Sequence, residues 1–456
     1  MKPYLDLAQQ LADKGQFTGA EVLWKYCLAQ GHESPKVVFN VGRMVQAQAT
    51  TSCRKAEAAG WYERLICDPS ASLEDKSDAL QNLGCLMHQS LRPDKACIAF
   101  NLALQIDPEN EVARRNLAVA LEQCGRWEEC DAEYVAILKK DWNDAGAHFS
   151  RGMIALLLGD YMRGWAEYEW RFKVDTFPTK PFETQAQCWH GEDLDGKTIT
   201  ITHEQGFGDC IMGIRYAREI KRRWPNATVW WYGHSALRQL MKCADGVDEA
   251  FDAADEQGRM LRGETPIPYH FHCPVLSLPH RFVTTPDTVP AGRYIAVPND
   301  RITLGDNSKK RIGIVWAGSP RHGKDAWRSI PPESFQPIVD AHPDCQFYSL
   351  QVGPRQHEVL RLNRVVYAAA EIVRIGDWTA TAEVLQQLDL LISVDTACVH
   401  LAGAMGVPVW MLCPSSPDFR WGLSGETTPW YDSMRIFRQP KEGDWQSVLN
   451  RVNESL

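Results

Sequence analysis

Small residues recur at a fixed interval in the first third of the chain. Gly84, Ala118 and Gly152 are each 34 positions apart. The same interval carries Ala96 to Cys130, Phe100 to Tyr134 and on to Tyr168, and Ala103 to Ile137. It also carries the turn Gly125-Arg126-Trp127 to Gly159-Asp160-Tyr161. A period of this length marks a supersecondary unit that cannot bury its apolar face alone and must stack on its neighbours. The small positions let one helix of a unit approach the other. The aromatic and aliphatic positions, Leu121 among them, fill the groove between units, and Pro108 closes the unit that runs over 77–110.

These spacings resemble tetratricopeptide repeats. Earlier segments fit the pattern more loosely, with Ala20 and Trp24 in one unit and Gly42 in another. The second of these carries roughly eight extra residues before the well-formed unit at 77. The expectation is a repeat domain over residues 1–175. Such an array offers a concave surface to a peptide or protein partner, or serves as a scaffold that packs on the rest of the chain or mediates self-association. Asn82 and Asn116, one period apart, are candidates to line a groove.

Composition narrows the partners. The chain has 456 residues, with 49 Lys and Arg against 58 Asp and Glu. An acid excess of this kind argues against nucleic acid, which needs a basic surface. The 14 cysteines include no CxxC pair, so the strong zinc and redox signatures are missing. The opening MKPYLDLAQQLADKG has no apolar run of signal-peptide length, and no apolar stretch approaches a membrane span. A cytoplasmic protein without a membrane span is expected.

Beyond a polar linker at 176–195 the pattern changes to alternating strands and helices. KTITIT, ATVWWYG, VDEAFD, PIPYHFHCP and RYIAVP are predicted strands of a first unit over 196–308. Ile211, Ile214, Ala217 and Ile220 give the intervening helical segment its buried face. RIGIVWAG opens a second unit over 309–440, followed by CQFYSLQVG, DLLISV, VPVWMLCP and MRIFRQ, with EVLQQL helical. A helix at 441–456 ends the chain. The fold class is therefore α plus α/β: a repeat superhelix followed by two Rossmann-like units with a cleft between them.

Three segments carry candidate chemistry. In HEQGFGD, Gly206 and Gly208 permit a tight turn and Asp209 falls at a helix start, where it serves as a general base or as an N-terminal cap. In SVDTACVHLAGAMG, Asp395 and Thr396 precede a helix whose N-terminal amides suit a pyrophosphate. Thr396 and Ala397 supply hydroxyl and backbone donors there, and Asp395 orients a sugar hydroxyl or caps the turn. His400, one turn further on, assists at an oxygen or is a satisfied core histidine. In WAGSPRHGKDAWRSIPPESF, small residues 317–319 follow a strand, and Arg321, His322, Lys324 and Arg328 gather cations in one loop. That loop either neutralises leaving-group phosphate or is simply solvated.

Taken in order, HEQGFGD, SLP at 277–279, WAGSP, RSIP at 328–331, VDTACVHLAGAMGVPVW and PDFRW at 417–421 resemble GT-B glycosyltransferases of the heptosyltransferase-like group. The repeat-plus-GT-B arrangement is more distantly similar to protein O-GlcNAc transferases. The resemblance implies Asp209 as catalytic base, and Arg328 where that group often has a phosphate-contacting lysine. It implies Asp395, Thr396 and His400 as a donor-binding DTxxxH segment. Ala397 stands where many members have glycine. An arginine in place of a lysine keeps the charge and changes the geometry.

The implied activity is inverting, metal-independent transfer of a sugar from a nucleotide-diphosphate sugar to an acceptor hydroxyl on protein or saccharide, with no cofactor. Arg328, assisted by Lys324, would offset diphosphate charge, and Thr396, Ala397 and His400 would hold it. Gly206, Gly208 and Ser319 complete the donor or sugar contacts, and Asp395, Asp418 and Arg420 lie with them. The PDFRW segment either closes over the sugar or is an ordinary loop. The rival readings are an inactive GT-B and repeat scaffold that binds protein, and a nucleotide-sugar epimerase. Hydride transfer is disfavoured because no GxGxxG turn follows a strand.

Overall fold

The computed structural model describes residues 1–182, 184, 186–254, 269–305 and 308–456. The chain divides into two compact units, Met1–Arg151 and Gly152–Leu456.

The first unit is a TPR-like stack of paired antiparallel helices. Lys2–Asp13 pairs with Phe17–Ala29, Pro35–Ala47 with Ser52–Cys67, Leu73–Gln89 with Pro93–Ile106, and Glu111–Gln123 with Trp127–Lys140. Local chemistry sets the boundaries. Ser72 and Asp75 form a reciprocal capping box at the start of Leu73–Gln89, and Pro93 opens the next helix. The periodic small residues are where helices touch. A Cβ on Gly84 would meet the Phe100 ring at 2.5 Å, and one on Gly42 would meet Tyr62 at 2.9 Å. The surplus residues of the second repeat lengthen two helices, Ser52–Cys67 and Leu73–Gln89, to 16 and 17 residues. Asn82 turns its amide back to Asp78 O of its own helix at 2.8 Å, and Asn116 points its amide at Cys85 Sγ at 3.4 Å.

The second unit contains two parallel sheets. The first has the order β1-β5-β2-β3-β4, with β1 Gln187–Cys188, β2 Thr198–Thr202, β3 Thr228–Gly233, β4 Glu249–Asp252 and β5 Phe271–Pro274. The second has the order β11-β10-β9-β6-β7-β8, with β6 Lys310–Val315, β7 Cys345–Ser349, β8 Val365–Val366, β9 Leu390–Val394, β10 Val409–Cys413 and β11 Met434–Arg438. Every ladder in both sheets is parallel. The central strands are buried on both faces, as Leu390–Val394 is throughout, which explains their continuous apolar runs.

Two expectations need correction. RYIAVP forms no strand; Ala244 and Ile295 make one isolated antiparallel bridge. The N–H groups of Tyr294 and Ile295 are both spent on Ala404 O, leaving no ladder to extend. Within PIPYHFHCP the strand is Phe271–Pro274, and residues 266–268 lie outside the described residues. The short β1, which pairs only with β5, falls in a segment that reads as polar linker.

In each sheet the chain reverses its direction of travel across the sheet at one point, between β2 and β5 in the first and between β6 and β9 in the second. Ligands of open α/β sheets bind at the carboxyl ends of strands beside such a reversal. The loops that leave β2, β6 and β9 are the three segments that carry candidate chemistry. Among the described residues no helix is long and apolar enough to cross a membrane.

Candidate functional site

The chain leaves β2 through a strained turn. Gln205 sits at φ 55°, a conformation that side chains other than glycine adopt only when held there. Its N–H donates to Thr179 Oγ1 at 2.8 Å and its side-chain amide donates to Tyr168 Oη. Just before it, Glu204 is fully buried and accepts two hydrogen bonds from the equally buried Arg171, at 2.5 and 2.9 Å. Arg171 also donates to Ser277 Oγ at 2.7 Å, the serine of the SLP segment. This network fixes the turn from below.

The helix Phe207–Gly213 begins immediately afterwards, with Asp209 in its first turn. Asp209 Oδ2 accepts the Gly206 N–H at 2.8 Å, so the carboxylate does act as a cap. Its other oxygen accepts from Arg420 Nη2. The side chain is 18% exposed. Burial pushes the Asp209 carboxyl above the usual range, against the opposing pull of Arg420 and of the Gly206 N–H.

Arg420 comes from the short 3-10 turn Phe419–Trp421 in the loop after β10. Its buried guanidinium also donates to Asp418 Oδ1 at 2.8 Å and to Met212 Sδ at 2.9 Å. Asp418 in turn accepts the Arg420 N–H at 3.1 Å and so caps the turn that presents it. One arginine thus bridges a carboxylate that follows the first sheet and one that follows the second.

From β9 the chain passes through Asp395 and Thr396 into the helix Ala397–Met405. Thr396 is extended, no side chain caps this helix, and Thr396 Oγ1 lies 3.2 Å from Ser393 Oγ. His400 is buried, with Nδ1 2.9 Å from Tyr431 Oη and its ring stacked on Trp421 at 5.2 Å. Burial, with Arg420, Arg215 and Arg328 nearby, holds its pKa well below the ordinary histidine value, so the ring is neutral near pH 7. Gly208 faces this helix: a Cβ there would meet His400 Cδ2 at 2.6 Å and Ala397 Cα at 3.5 Å. Its missing side chain is therefore what allows the Asp209 helix and the His400 helix to meet. Burial and the neighbouring Asp418 push the Asp395 carboxyl upward, opposed by Arg328, the Trp421 indole and Arg420.

The loop after β6 supplies Arg328. Its guanidinium lies over Gly318, where a Cβ would collide with it, and its Nε is 3.4 Å from Asp325 Oδ1. Ser329 Oγ accepts the Gly318 N–H at 3.1 Å and donates to Asp325 at 2.9 Å, closing the loop on itself. Lys324 and Ser319 lie on its exposed rim. The start of the loop is fixed by Gln351, whose side chain accepts from the Trp316 and Ala317 N–H groups at 3.2 and 2.9 Å.

The loops that leave β2, β6, β9 and β10 therefore bring together Asp209, Arg420, Asp418, Asp395, Arg328, His400, Thr396 and Ala397. Gly206 and Gly208 shape the first-sheet side of this site, and Lys324 and Ser319 stand further out. Arg171, Gln351 and Tyr431 support it without a signal in the sequence, whereas Glu204 and Trp421 lie inside the HEQGFGD and PDFRW segments without a role of their own being read there. A glutamine two residues after a strand, or a glutamate two residues before a glycine turn, has no pattern of its own. Among the described residues no group of three or more His, Cys, Asp or Glu is arranged to hold a metal ion.

No family model matches the chain. It is 25% identical over 388 residues to Protein FlbA of Caulobacter vibrioides, a match covering 79% of this chain and 63% of that protein. The chain thus spans less than two thirds of that relative's length. Among solved structures it is similar to MamA AMB-1, at 19% identity over 38% of this chain and 96% of that one, with a TM-score of 0.32. It is also similar to YrrB, described as a TPR protein with an unusual peptide-binding site, at 15% identity over 38% of this chain and 85% of that one, with a TM-score of 0.32.

Proposed function

We propose that the second unit is a GT-B-like glycosyltransferase that moves a sugar from a nucleotide-diphosphate sugar to an acceptor hydroxyl with inversion. The observation that carries this reading is the convergence of Asp209, from the first sheet's turn, on Arg328, Asp395, Thr396 and His400 at the second sheet's point of reversal. A carboxylate next in sequence to the glycine that packs on an uncapped helix, in a site that also holds a cation, suits in-line displacement at a sugar carbon. The acceptor hydroxyl gives its proton to Asp209, and the departing diphosphate rests on the amides at Thr396 and Ala397 and on Arg328. His400 is neutral, so it contributes a hydrogen bond and no charge to oxygens beside it.

The engagement of both Asp209 oxygens, by Gly206 and Arg420, favours a second reading in which the cleft binds a nucleotide without turning it over and the repeats act as a protein-binding scaffold. The donor, the acceptor and any partner of the repeats belong to the proposal. Calorimetry of the full chain with a panel of nucleoside diphosphates, followed by mass spectrometry of acceptor mixtures with the sugar forms of the tightest binder, tests it. A mass increase of one sugar in the acceptor supports transfer. Binding with no sugar moved to acceptor or water favours the scaffold, and an isomerised donor sugar favours an epimerase.

A further inference from the structure

Two thiols face each other inside the repeat stack. Cys97 lies on the helix Pro93–Ile106 and is buried; Cys124 caps the carboxyl end of Glu111–Gln123 and is partly exposed. Their sulfurs are 3.9 Å apart. The residues belong to successive repeats, and 27 positions separate them in sequence. A disulfide needs a sulfur separation near 2.05 Å, about 2 Å closer than this contact, so closing it asks for an adjustment at one end. Cys124 can make that adjustment cheaply because it sits in the last turn of its helix and is followed by Gly125 at φ 69°. Most of the other cysteines, such as Cys130, which donates to Ala118 O at 3.0 Å, sit singly in the packing.

We propose that Cys97 and Cys124 are a modification site: a dithiol that closes to a disulfide and staples the third helix pair to the fourth. The two cysteines divide the work by exposure. Cys124, reachable from solvent, attacks a small-molecule disulfide such as oxidised glutathione; one glutathione thiolate leaves and a mixed disulfide forms on Cys124. Cys97 then loses its proton and attacks the Cys124 sulfur, expelling the second glutathione. The protein loses two hydrogens and two electrons, and the glutathione disulfide gains them. Burial pushes the Cys97 thiol up to about 12, which makes it a poor first nucleophile and leaves its own attack on the adjacent, already activated Cys124 sulfur as its route to oxidation. In a repeat stack each unit is held by its neighbours, so a covalent tie across one seam fixes the angle between two units and the groove they share. This inference does not depend on the activity proposed for the second unit.

The test uses the full chain, equilibrated across a series of reduced-to-oxidised glutathione ratios, quenched with an alkylating agent and digested with trypsin. The expected product joins peptide 96–114 to peptide 116–126 at a mass about 2 Da below their sum, and reduction separates them. Cys53 and Cys67 are exposed and serve as internal reporters, expected to take glutathione as mixed disulfides. Reporters modified while Cys97 and Cys124 are both recovered alkylated would overturn the proposal. Glutathione retained on Cys124 with Cys97 alkylated would overturn it equally. In Cys97→Ala the mixed disulfide on Cys124 should persist; its absence there would show that Cys124 is not the point of attack. None of these readouts requires a sugar donor or an acceptor.

Discussion

Arg420 is ion-paired to Asp209, and this contact joins the loop after β10 to the helix after β2. The arginine holds the carboxylate that the proposed chemistry needs free, and does so from a turn capped by its own neighbour Asp418. Two opposed influences therefore act on Asp209. Burial favours its protonated form and Arg420 favours its charged form.

The sign of the consequence for pH follows. A base works when deprotonated, so activity falls as pH drops through its pKa. Since burial leaves the Asp209 pKa raised, the acid limb of kcat/KM should lie above the usual carboxylate range. Arg420→Gln removes the main charge holding that pKa down, so the limb should move to higher pH. Arg420→Lys should return it part of the way, as a point charge lacks the fork geometry. A pH–rate series on the three proteins is the measurement, and an unmoved limb in the glutamine variant would count against Asp209 as the base.

Asp209→Asn keeps the size of the side chain and an acceptor oxygen for the Gly206 N–H. Turnover should fall by about 100- to 10,000-fold while affinity for the nucleoside diphosphate stays within a small factor. Single-turnover kinetics beside calorimetry separates the two effects. Comparable losses in both would make Asp209 a structural cap only.

Arg328 is expected to act on phosphate, with Gly318 making room for it. Arg328→Ala should weaken nucleoside diphosphate binding by about tenfold or more and leave binding of the bare nucleoside unchanged. Gly318→Ala should weaken diphosphate binding by less, because the added methyl displaces the flexible end of the Arg328 side chain without removing its charge. Equal losses for diphosphate and nucleoside would point to a collapsed loop.

How much of this was legible in the sequence depended on whether a feature is periodic. The repeat glycines, the strand runs and the strand-turn-helix segments repeat or alternate, so their positions could be read directly. Asp209, Thr396 and Arg328 stood out because each ends such a pattern. The partnership of Arg420 with Asp209 spans 211 positions, and nothing local to either residue announces it. Gly208 illustrates the opposite difficulty. Its turn was legible, but the face it frees is turned to His400, and that depends on how two helices meet. RYIAVP had strand composition, yet the N–H groups of Tyr294 and Ile295 are both taken by Ala404 O.

The buried pair Arg171–Glu204 should matter for stability more than for turnover. Both side chains are 0% exposed, so removing one partner strands the other without water. Arg171→Met should cost about 3–5 kcal/mol in urea unfolding of the full chain. The double change to Arg171→Met with Glu204→Leu should cost less than Arg171→Met alone, because no charge is left unpaired. If the single and double variants unfold together, the charge on Glu204 is not what Arg171 compensates.

In the repeat unit the acid response should centre on Glu21. It is 8% exposed and bonded to Lys25 at 2.7 Å and Arg54 at 2.6 Å. Burial opposes its charge, but the hydrogen bonds from Arg54 and Lys25 prevail and bring its pKa down to about 2. A carboxyl whose folded pKa is depressed contributes stability that is complete above its unfolded pKa, near 4.5, and is lost as pH falls toward about 2. Lys25 and Arg54 are themselves roughly a third exposed, so solvent screening reduces the contribution to about 1 kcal/mol. Glu21→Gln should therefore lower the urea midpoint at pH 7 and flatten its decline between about pH 5 and pH 3. Far-ultraviolet circular dichroism of both proteins across that window follows the loss of helix, and the difference between the two curves isolates the contribution of Glu21. Parallel curves for the two proteins would assign the acid sensitivity to other carboxylates.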